Sequence, residues 1–410
     1  MNLEFLGGAG EIGRSALLVD DSLLLDYGMA STTPPSYPVG RVSPEAVVVT
    51  HGHLDHVGAL PALMSGTDRP EVHWTPPTRE FALTLARDTL KLHGNTPRCP
   101  FTETDVQRLT QESHTHGYGE SFDAAGYEVT FSNAGHIPGS AHALVTGREG
   151  TRLLYTGDFH TDSQRLVAGS TDRPDADVVV CESTYADVRH EPREQVERRF
   201  ARELRETVAQ GGTVVVPAFA IGRTQEALML CERYDLDCYV DGMGKRVSRM
   251  LRSHPDYLRD PEAFSRAVSH ARFVTSPGQR ERVAAQNTVV VTTSGMLSGG
   301  PAMTYVPEVR GSPVNLLAFV GYQVEGTTGR EVLETGRGDF DGRVLPVSAR
   351  TELFELSAHA DRDGLREFLS SYEDARVLVN HGDRCDWFAE QLREDGVDAS
   401  APELGDTVEV

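Results

Sequence analysis

The chain has 410 residues, of which 39% are hydrophobic, and its 61 acidic against 39 basic residues give a formal net charge of −22. This length allows two or three domains with a large core. No run approaches the roughly 18 apolar residues that a membrane-spanning helix needs, and five scattered cysteines without a CxxC pair argue against a disulfide framework and a cysteine zinc site.

The N-terminal part of the chain is predicted to consist of short strands with two helices between them. Residues 1–8 lack the basic and apolar segments of a signal peptide, so we expect a cytoplasmic protein with no membrane partner. The pattern predicts helices at 78–92 and 103–112 and strands at Leu3–Leu6, Ala16–Val19, Leu23–Leu25, Val47–Val49, Tyr127–Phe131, Ala143–Val145, Leu153–Tyr155 and Val178–Cys181.

From residue 193 onward, predicted helices and strands alternate, which is typical of a parallel α/β unit. The predicted elements are helices 193–209 and Arg223–Tyr234 and strands Val214–Val216, Cys238–Val240, Phe273–Val274, Val289–Thr292 and Leu316–Val320. The chain then closes with strand 344–347, helix 362–371, strand 376–379 and helix 386–395.

The segment Gly8–Gly13 matches the GxGxxG pattern after a strand and has two interpretations. A dinucleotide site needs a helix that opens at the glycines and faces the pyrophosphate. Only Arg14–Val19 precede the next turn, Asp20-Asp21-Ser22, and they are rich in strand formers. We therefore favour a glycine-rich hairpin turn over a dinucleotide site.

The densest cluster of metal-ligand residue types is His51-Gly52-His53-Leu54-Asp55-His56, directly after the apolar run 46–49. With this HxHxDH spacing, one loop at a strand end can direct four ligands at two metal ions. His51 and His53 can face one ion, and Asp55 and His56 its neighbour.

Further ligand types follow other predicted strands, each beside a glycine: His136, Asp158 and His381. Zinc hydrolases combine histidine and carboxylate ligands and leave a position for water. Asp26 also follows a strand, and it is better suited to accept a hydrogen bond from a ligand histidine and so fix the tautomer of that ring than to bind metal itself.

These motifs, in this order, resemble those of the metallo-β-lactamase superfamily, and later features resemble its β-CASP nuclease branch. Glu182 in Cys181–Tyr185 looks like motif A of that branch, His359 in Ser357–Asp361 like motif B, and His381 like motif C, while Gly212–Glu226 looks like the start of the β-CASP insert. The resemblance implies an α/β fold: a metallo-β-lactamase αββα sandwich from residues 1–186 and 346–410, with an inserted α/β β-CASP domain at 187–345.

The resemblance also implies a role for each position and two Zn²⁺ ions as cofactors. One zinc would be held by His51, His53 and His136, the other by Asp55, His56 and His381, and Asp158 would bridge them. His359 would give a proton to the leaving oxygen, and Glu182 would keep it protonated and oriented.

Within the branch, a histidine at motif C is typical of RNA-processing members, whereas DNA-repair members usually carry valine there. Gly10–Ser15 and Gly135–Ser140 look most like the archaeal homologues of the cleavage and polyadenylation specificity factor endonuclease. Thr50–His53 and Thr156–Phe159 would also suit the ribonuclease J group. Longer archaeal homologues begin with RNA-binding KH domains; this chain starts at the first strand, so we expect the short form.

A net charge of −22 usually argues against a polyanionic partner. Adaptation to a salt-rich, halophilic cytoplasm is an alternative, because high salt screens the repulsion between surface carboxylates. Only Lys91 and Lys245 are lysines, which fits that adaptation and also fits a GC-rich genome. Net charge therefore does not exclude nucleic acid.

Four other residues are weaker candidates for substrate contacts. Arg223 and Lys245 could bind phosphates, with a surface ion pair as the alternative. Ser294 and Gly295 could present backbone N–H groups to a phosphate, with an ordinary glycine-rich turn as the alternative.

The segment His114-Thr115-His116 has the spacing of metal ligands but is interpreted as a solvated polar connector.

The sequence thus predicts a zinc-dependent ribonuclease that hydrolyses phosphodiester bonds of single-stranded RNA, in RNA 3′-end processing or turnover. A ribonuclease J-like 5′–3′ exoribonuclease is the alternative in the same class, and the sequence leaves endonuclease and exonuclease modes open. Rivals of other classes are a small-molecule metallohydrolase, a non-catalytic subunit of an RNA-processing complex, and a DNA nuclease. By resemblance we also expect a homodimer and a possible larger RNA-processing assembly.

Overall fold

A computed structural model describes residues 1–32, 34–94, 96 and 99–410. The chain divides into two compact units. The first contains residues 1–163, 168–189 and 359–410, and the second contains 164–167 and 190–358. In the described part of the chain, no helix is both long enough and apolar enough to cross a membrane.

The first two stretches of the first unit, 1–163 and 168–189, contain eleven strands and three α-helices among their described residues. They are β1 Asn2–Gly7, β2 Ala16–Val19, β3 Leu23–Leu25, β4 Ala46–Val48, α1 Leu54–Val57, β5 Glu71–Trp74, α2 Pro76–His93, α3 Glu103–Gln111, β6 Ser113–Thr115, β7 Ser121–Ala124, β8 Tyr127–Asn133, β9 Ala141–Thr146, β10 Arg152–Tyr155 and β11 Val178–Glu182.

The second unit alternates helices and strands, as the sequence predicts. Its elements are α4 Arg193–Ala209, β12 Val214–Pro217, α5 Arg223–Arg233, β13 Cys238–Asp241, α6 Gly244–Leu251, α7 Pro261–His270, β14 Arg272–Phe273, α8 Arg280–Ala284, β15 Val289–Thr292, α9 Ala302–Val309, β16 Leu316–Phe319, α10 Thr328–Thr335, β17 Arg337–Asp339, β18 Val344–Pro346 and β19 Arg350–Leu353.

The chain ends within the first unit with α11 Arg362–Leu369, β20 Arg376–Asn380, α12 Cys385–Glu394, β21 Ala399–Ser400 and β22 Thr407–Glu409. Short 3-10 turns cover Leu60–Met64, Pro255–Tyr257, Pro277–Gln279 and Ser370–Tyr372.

Two seven-stranded sheets form the centre of the first unit. Their strand orders are β22-β1-β2-β3-β4-β5-β6 and β21-β20-β11-β10-β9-β8-β7. Alternate residues of both sheets meet in one core, for example Phe5 and Val48 from the first sheet and Phe131 and Val145 from the second. Because side chains alternate along a strand, the other face of each sheet needs its own cover.

Helices provide that cover on both outer faces. Val72 and Trp74 of the first sheet pack with Val106 of α3, and Val179 of the second sheet packs with Phe368 of α11 and Phe388 of α12. Each fully buried side chain of this size contributes roughly 1.5–3 kcal/mol. The layers are therefore helix, sheet, sheet and helix, which confirms the predicted αββα sandwich.

The glycine-rich segment after β1 is a hairpin connection. β1 and β2 pair antiparallel, with Leu3 opposite Val19, and no helix opens at the glycines between them. This confirms the hairpin interpretation over a dinucleotide site.

A six-stranded parallel sheet, with the order β14-β13-β15-β12-β16-β19, forms the centre of the second unit. Val214–Val216 and Val289–Val291 are continuous buried valine runs, as expected for strands covered on both faces. β19 lies at one edge and pairs with β16, although it follows the predicted boundary between residues 345 and 346. The exact domain limits stay a prediction.

Candidate metal centre

The candidate residues of the first unit lie where strands end. Asp26 follows β3, the His51–His56 segment follows β4 and runs into α1, and His136 follows β8. Asp158 and His381 follow β10 and β20, while Glu182 is the last residue of β11. β10, β11 and β20 are parallel neighbours, which brings their carboxyl ends to one edge of the second sheet.

His51, His53, His136 and Asp158 form a first donor set. One ligand atom from each of these four residues lies within 4.8 Å of the others. His136 Nε2 is 2.9 Å from His53 Nδ1, and His51 Nε2 is 3.4 Å from Asp158 Oδ2. Three imidazoles and one carboxylate match the donors that zinc takes in hydrolases.

A second donor set consists of Asp55, His56, Asp158 and His381, again within 4.8 Å of one another. Asp158 Oδ1 lies 3.3 Å from His56 Nε2 and 3.4 Å from His381 Nδ1. Asp158 therefore belongs to both sets, with one carboxylate oxygen toward each.

Several atoms of these sets are buried without a hydrogen-bond partner among the described residues: His51 Nε2, His53 Nε2, Asp158 Oδ1 and His381 Nε2. A buried polar atom left unsatisfied costs about 1–3 kcal/mol. Four such atoms in one place are expected if they donate electron pairs to metal ions, so the residues fit the metal site that the sequence predicts.

Asp26 lies behind the second donor set. Its side chain is fully buried and accepts hydrogen bonds from Thr50 N at 2.8 Å and Thr50 Oγ1 at 2.7 Å. His56 Nδ1 lies 2.7 Å from Asp26 Oδ2. When His56 Nδ1 donates to this carboxylate, Nε2 keeps its lone pair for a metal.

Burial controls the protonation of the first donor set. Burial lowers the pKa of His53 to about 4, and burial followed by repulsion from His56 lowers the pKa of His51 well below its usual value. Burial opposes ionisation of Asp158, but the positive charge of the His381 and His56 rings holds its pKa well below its usual range. In the first donor set, neutral His51 and His53 beside an ionised Asp158 are the forms that bind metal.

His359 and Glu182 form an ion pair beside this cluster. His359 Nδ1 is 2.9 Å from Glu182 Oε1 and 3.1 Å from Oε2, and the ring centroid of His359 is 4.5 Å from that of His136. The buried Glu182 also accepts a hydrogen bond from Phe159 N at 2.8 Å. Burial disfavours the imidazolium, yet the Glu182 carboxylate outweighs it and raises the pKa of His359 to about 9.

The predicted cationic contacts, Arg223 and Lys245, lie in the second unit and make internal bonds. Arg223 is 6% exposed, and its guanidinium donates to the carbonyl of Leu356 and, at 2.7 Å, to Gln164 Oε1. Lys245 Nζ donates to Asp241 Oδ1 at 2.9 Å. Their contact with phosphate stays a prediction.

Ser294 and Gly295 lie in the loop after β15. Ser294 N donates to Gly299 O at 3.3 Å, and Ser294 Oγ accepts from Ser298 N at 2.9 Å. Gln323 Nε2 donates to Gly295 O at 3.1 Å. The loop is held by its own bonds, and phosphate contact by these residues also stays a prediction.

Two threonines around the cluster were missed by the sequence reasoning. Besides its bonds to Asp26, Thr50 Oγ1 lies 3.2 Å from His51 Nδ1, and Thr184 Oγ1 lies 3.2 Å from His381 Nδ1. Thr50 immediately precedes the histidine cluster and Thr184 lies two residues after Glu182, so proximity to a ligand motif was the available signal.

Comparison with protein families matches three successive regions of the chain. Residues 10–189 match the metallo-beta-lactamase superfamily, and residues 225–332 match the Beta-Casp domain. Residues 344–402 match a domain described as the Zn-dependent metallo-hydrolase RNA specificity domain.

Related proteins resemble the chain over nearly its whole length. "RNase aCSPSF2" of Saccharolobus solfataricus is 35% identical over 99% of this chain and 85% of its own. "Probable RNase MJ4" of Methanocaldococcus jannaschii is 29% identical over 100% of both chains. "Transcription termination factor FttA" of Methanothermobacter thermautotrophicus is 33% identical over 93% of this chain and 67% of its own.

Among solved structures, a protein of unknown function from Enterococcus faecalis has a TM-score of 0.64 over 100% of this chain and 99% of its own, at 12% identity. That likeness concerns the fold alone. The matched regions and the relatives together show the family: the chain belongs to the β-CASP branch of the metallo-β-lactamase superfamily.

Proposed function

We propose that this protein is a zinc-dependent ribonuclease that hydrolyses phosphodiester bonds of single-stranded RNA, in RNA 3′-end processing or turnover. The observation that carries the proposal is the pair of donor sets that share Asp158, with the His359–Glu182 ion pair beside them. The names of the relatives, two ribonucleases and a transcription termination factor, are consistent with an RNA substrate.

Two zinc ions would be held by residues of the first unit. His51, His53 and His136 would hold one ion, Asp55, His56 and His381 the other, and Asp158 would bridge them, in keeping with its place in both donor sets. When bound, the ions would supply a water of lowered pKa and positive charge for the phosphate oxygens.

His359 would supply the proton that the leaving oxygen needs. Its raised pKa, about 9, keeps the imidazolium populated at neutral pH, and Glu182 holds the ring through Nδ1. The other ring nitrogen, Nε2, would therefore carry the transferable proton, which a positioned acid can use to accelerate cleavage by roughly 10²–10⁴-fold.

The matched RNA-specificity and Beta-Casp regions favour RNA over a small-molecule substrate. A small-molecule hydrolase would need the metal cluster but not a second unit built on its own six-stranded sheet. The non-catalytic alternative is disfavoured because the predicted ligands all converge in the two donor sets.

A homodimer and a larger assembly are proposed from family resemblance, and light scattering would test the dimer.

The proposal is tested by incubating 5′-end-labelled and internally labelled RNA with the parent protein, with and without chelator, followed by addition of zinc. We expect cleavage to stop on chelation and return with zinc. Cleavage that continues under chelation would refute the metal mechanism, and cleavage of a lactone or thioester but not RNA would support the small-molecule alternative.

Two variants sharpen that experiment. His359→Ala should lose activity while keeping its zinc content, and His254→Ala, in the second unit, should retain both. Mononucleotide release from the 5′ end would indicate exonuclease action, whereas discrete internal fragments would indicate endonuclease action.

A further inference from the structure

Three histidines outside the metal centre lie together at the open edge of the first sheet. His73 of β5 is opposite His114 of β6 in the parallel pairing, and His116 follows β6 with its backbone N bonded to Trp74 O at 3.0 Å. His73 lies on the face opposite Val72 and Trp74, which pack in the outer core, and His114 shares its face. Ser113–Thr115 is an edge strand, so the prediction of a polar connector at His114-Thr115-His116 is wrong.

The rings of this cluster face one another closely. His73 Nδ1 is 3.0 Å from His116 Nε2, and the ring centroid of His73 is 5.2 Å from those of both His114 and His116. Phe122 of β7, in the second sheet, stacks on His116 with centroids 3.7 Å apart. The cluster therefore lies between the edges of the two sheets.

His73 has an unsatisfied nitrogen. The residue is 3% exposed, and its Nε2 has no hydrogen-bond partner among the described residues. Oε2 of the Glu71 carboxylate lies 3.7 Å from His73 Nε2. If Nδ1 gives its lone pair to an ion, Nε2 carries the ring proton and can direct it toward this carboxylate.

The protonation states at neutral pH suit a cation. Burial, followed by repulsion from His116 and His114, lowers the pKa of His73 to about 4, and burial lowers the pKa of His116. Both imidazoles are therefore neutral and keep lone pairs. The carboxylates of Asp123 and Glu120 act in the opposite direction on His73 and His116 respectively, so negative charge lies near both rings.

The metal centre offers a comparison within the same unit. There, His53 Nδ1 and His136 Nε2 approach to 2.9 Å, close to the 3.0 Å between His73 and His116. Two ring nitrogens at this separation can both reach an ion at the usual zinc–nitrogen distance of about 2.0–2.1 Å. Because His114 is exposed, its side chain can rotate to bring a third nitrogen toward the pair.

We propose that His73, His114 and His116 form a second metal site, which binds a divalent first-row transition ion such as Zn²⁺ or Ni²⁺ through imidazole nitrogens. The site is separate from the catalytic donor sets. Imidazole suits Zn²⁺, Ni²⁺ and Cu²⁺, whereas Mg²⁺ and Ca²⁺ prefer oxygen ligands. An ion held here would stabilise the edge at which β5 and β6 meet β7.

The test uses the full-length protein and its His116→Ala and His114→Ala variants, because His73 is too buried to replace without risk to folding. Each protein is stripped with chelator and loaded with Ni²⁺ by equilibrium dialysis near neutral pH, and metal per chain is counted by mass spectrometry. We expect His116→Ala to bind one ion fewer than the parent, and His114→Ala to bind that ion at least roughly tenfold more weakly.

Two controls separate this site from the catalytic one. His254→Ala should bind as many ions as the parent, and His116→Ala should cleave RNA at the parent rate when zinc is supplied. Equal metal counts in the parent and His116→Ala, or an equal rise of Tm with added Ni²⁺, would overturn the proposal. Loss of an ion from His116→Ala supports it even if the protein proves not to be a ribonuclease.

Discussion

Glu182 contacts Nδ1 of His359 with both carboxylate oxygens, at 2.9 and 3.1 Å, although the two residues are 177 positions apart in the chain. Glu182 is itself fixed by Phe159 N, which donates to Oε1, and by Thr184 N, which donates to Oε2. The carboxylate is therefore rigidly placed, and it controls both the orientation and the charge of the imidazole.

Glu182→Gln should shift the pH dependence of RNA cleavage. The carboxylate raises the pKa of His359 to about 9, so its loss lowers that pKa, and the imidazolium needed as a proton donor then disappears at lower pH. We expect the alkaline limb of the kcat profile to move toward neutral pH and kcat to fall on the order of 10²-fold. Rates at saturating zinc across a pH series measure this.

The matched control is Glu149→Gln, which replaces an exposed glutamate of the same unit and should leave the profile unchanged. A Glu182→Gln variant whose alkaline limb coincides with that of the parent would show that Glu182 does not control the proton donor.

Asp26→Asn should weaken zinc binding while preserving the fold. Asp26 has φ 58°, in the left-handed region that asparagine tolerates, so the backbone can keep its conformation. Loss of the charge weakens the hydrogen bond to Nδ1 of His56. Replacing an outer partner of this kind lowers metal affinity by about 10–100-fold. Titration with a competing zinc chelator measures the change.

Asp21→Asn is the matched control, because Asp21 has φ 59° but is exposed. Its zinc affinity should equal that of the parent. Equal affinities for Asp26→Asn and the parent would mean that Asp26 serves the fold of the loop and not the metal.

Much of the metal centre was predictable because its signals are local. The HxHxDH spacing lies within six residues, and His136, Asp158 and His381 each follow an apolar run that forms a strand. Parallel pairing of β10, β11 and β20 aligns their carboxyl ends, which brings Asp158, Glu182 and His381 together. Strand ends and the HxHxDH spacing were therefore enough to select the candidate ligands.

Other features depend on contacts that no short sequence pattern records. Helix α1 has four residues, Leu54–Val57, too few for a helical period to be visible. Strand β22 is largely polar, and only its pairing with β1 makes it a strand. The same holds for β6: the stacking of His73 with His114 and His116 arises from an edge pairing that a polar three-residue segment does not signal.

The acidic composition predicts an enzyme that gains stability with salt. A net charge of −22 is self-repulsive, and the screening length falls from about 10 Å at 0.1 M salt to about 3 Å at 1 M. We expect the free energy of unfolding and the cleavage rate to rise over that range of KCl. Unfolding by urea and cleavage of labelled RNA, measured in parallel, test this.

Sucrose is the control solute, because it favours compact states by exclusion but screens no charge. If sucrose stabilises as well as KCl does, charge screening is not the cause. A steep loss of RNA binding as salt rises, the ordinary behaviour of nucleic-acid-binding proteins, would contradict a halophilic enzyme.

Asp241→Asn should destabilise the second unit in a pH-dependent way. Asp241 is 1% exposed and bonds Lys245 Nζ at 2.9 Å and Arg280 Nε at 2.8 Å. Burial opposes its ionisation, but these bonds lower its pKa, so its contribution is present above the unfolded value of about 3.9 and is lost as pH falls through the folded pKa. We expect Asp241→Asn to lose about 1.5–3 kcal/mol at neutral pH, and the difference from the parent to shrink below about pH 4. Urea midpoints of the parent and the variant across a pH series measure this, and Asp237→Asn, at an exposed site, is the control. If the difference in unfolding free energy between the parent and Asp241→Asn is constant with pH, the charge of Asp241 is not the stabilising element.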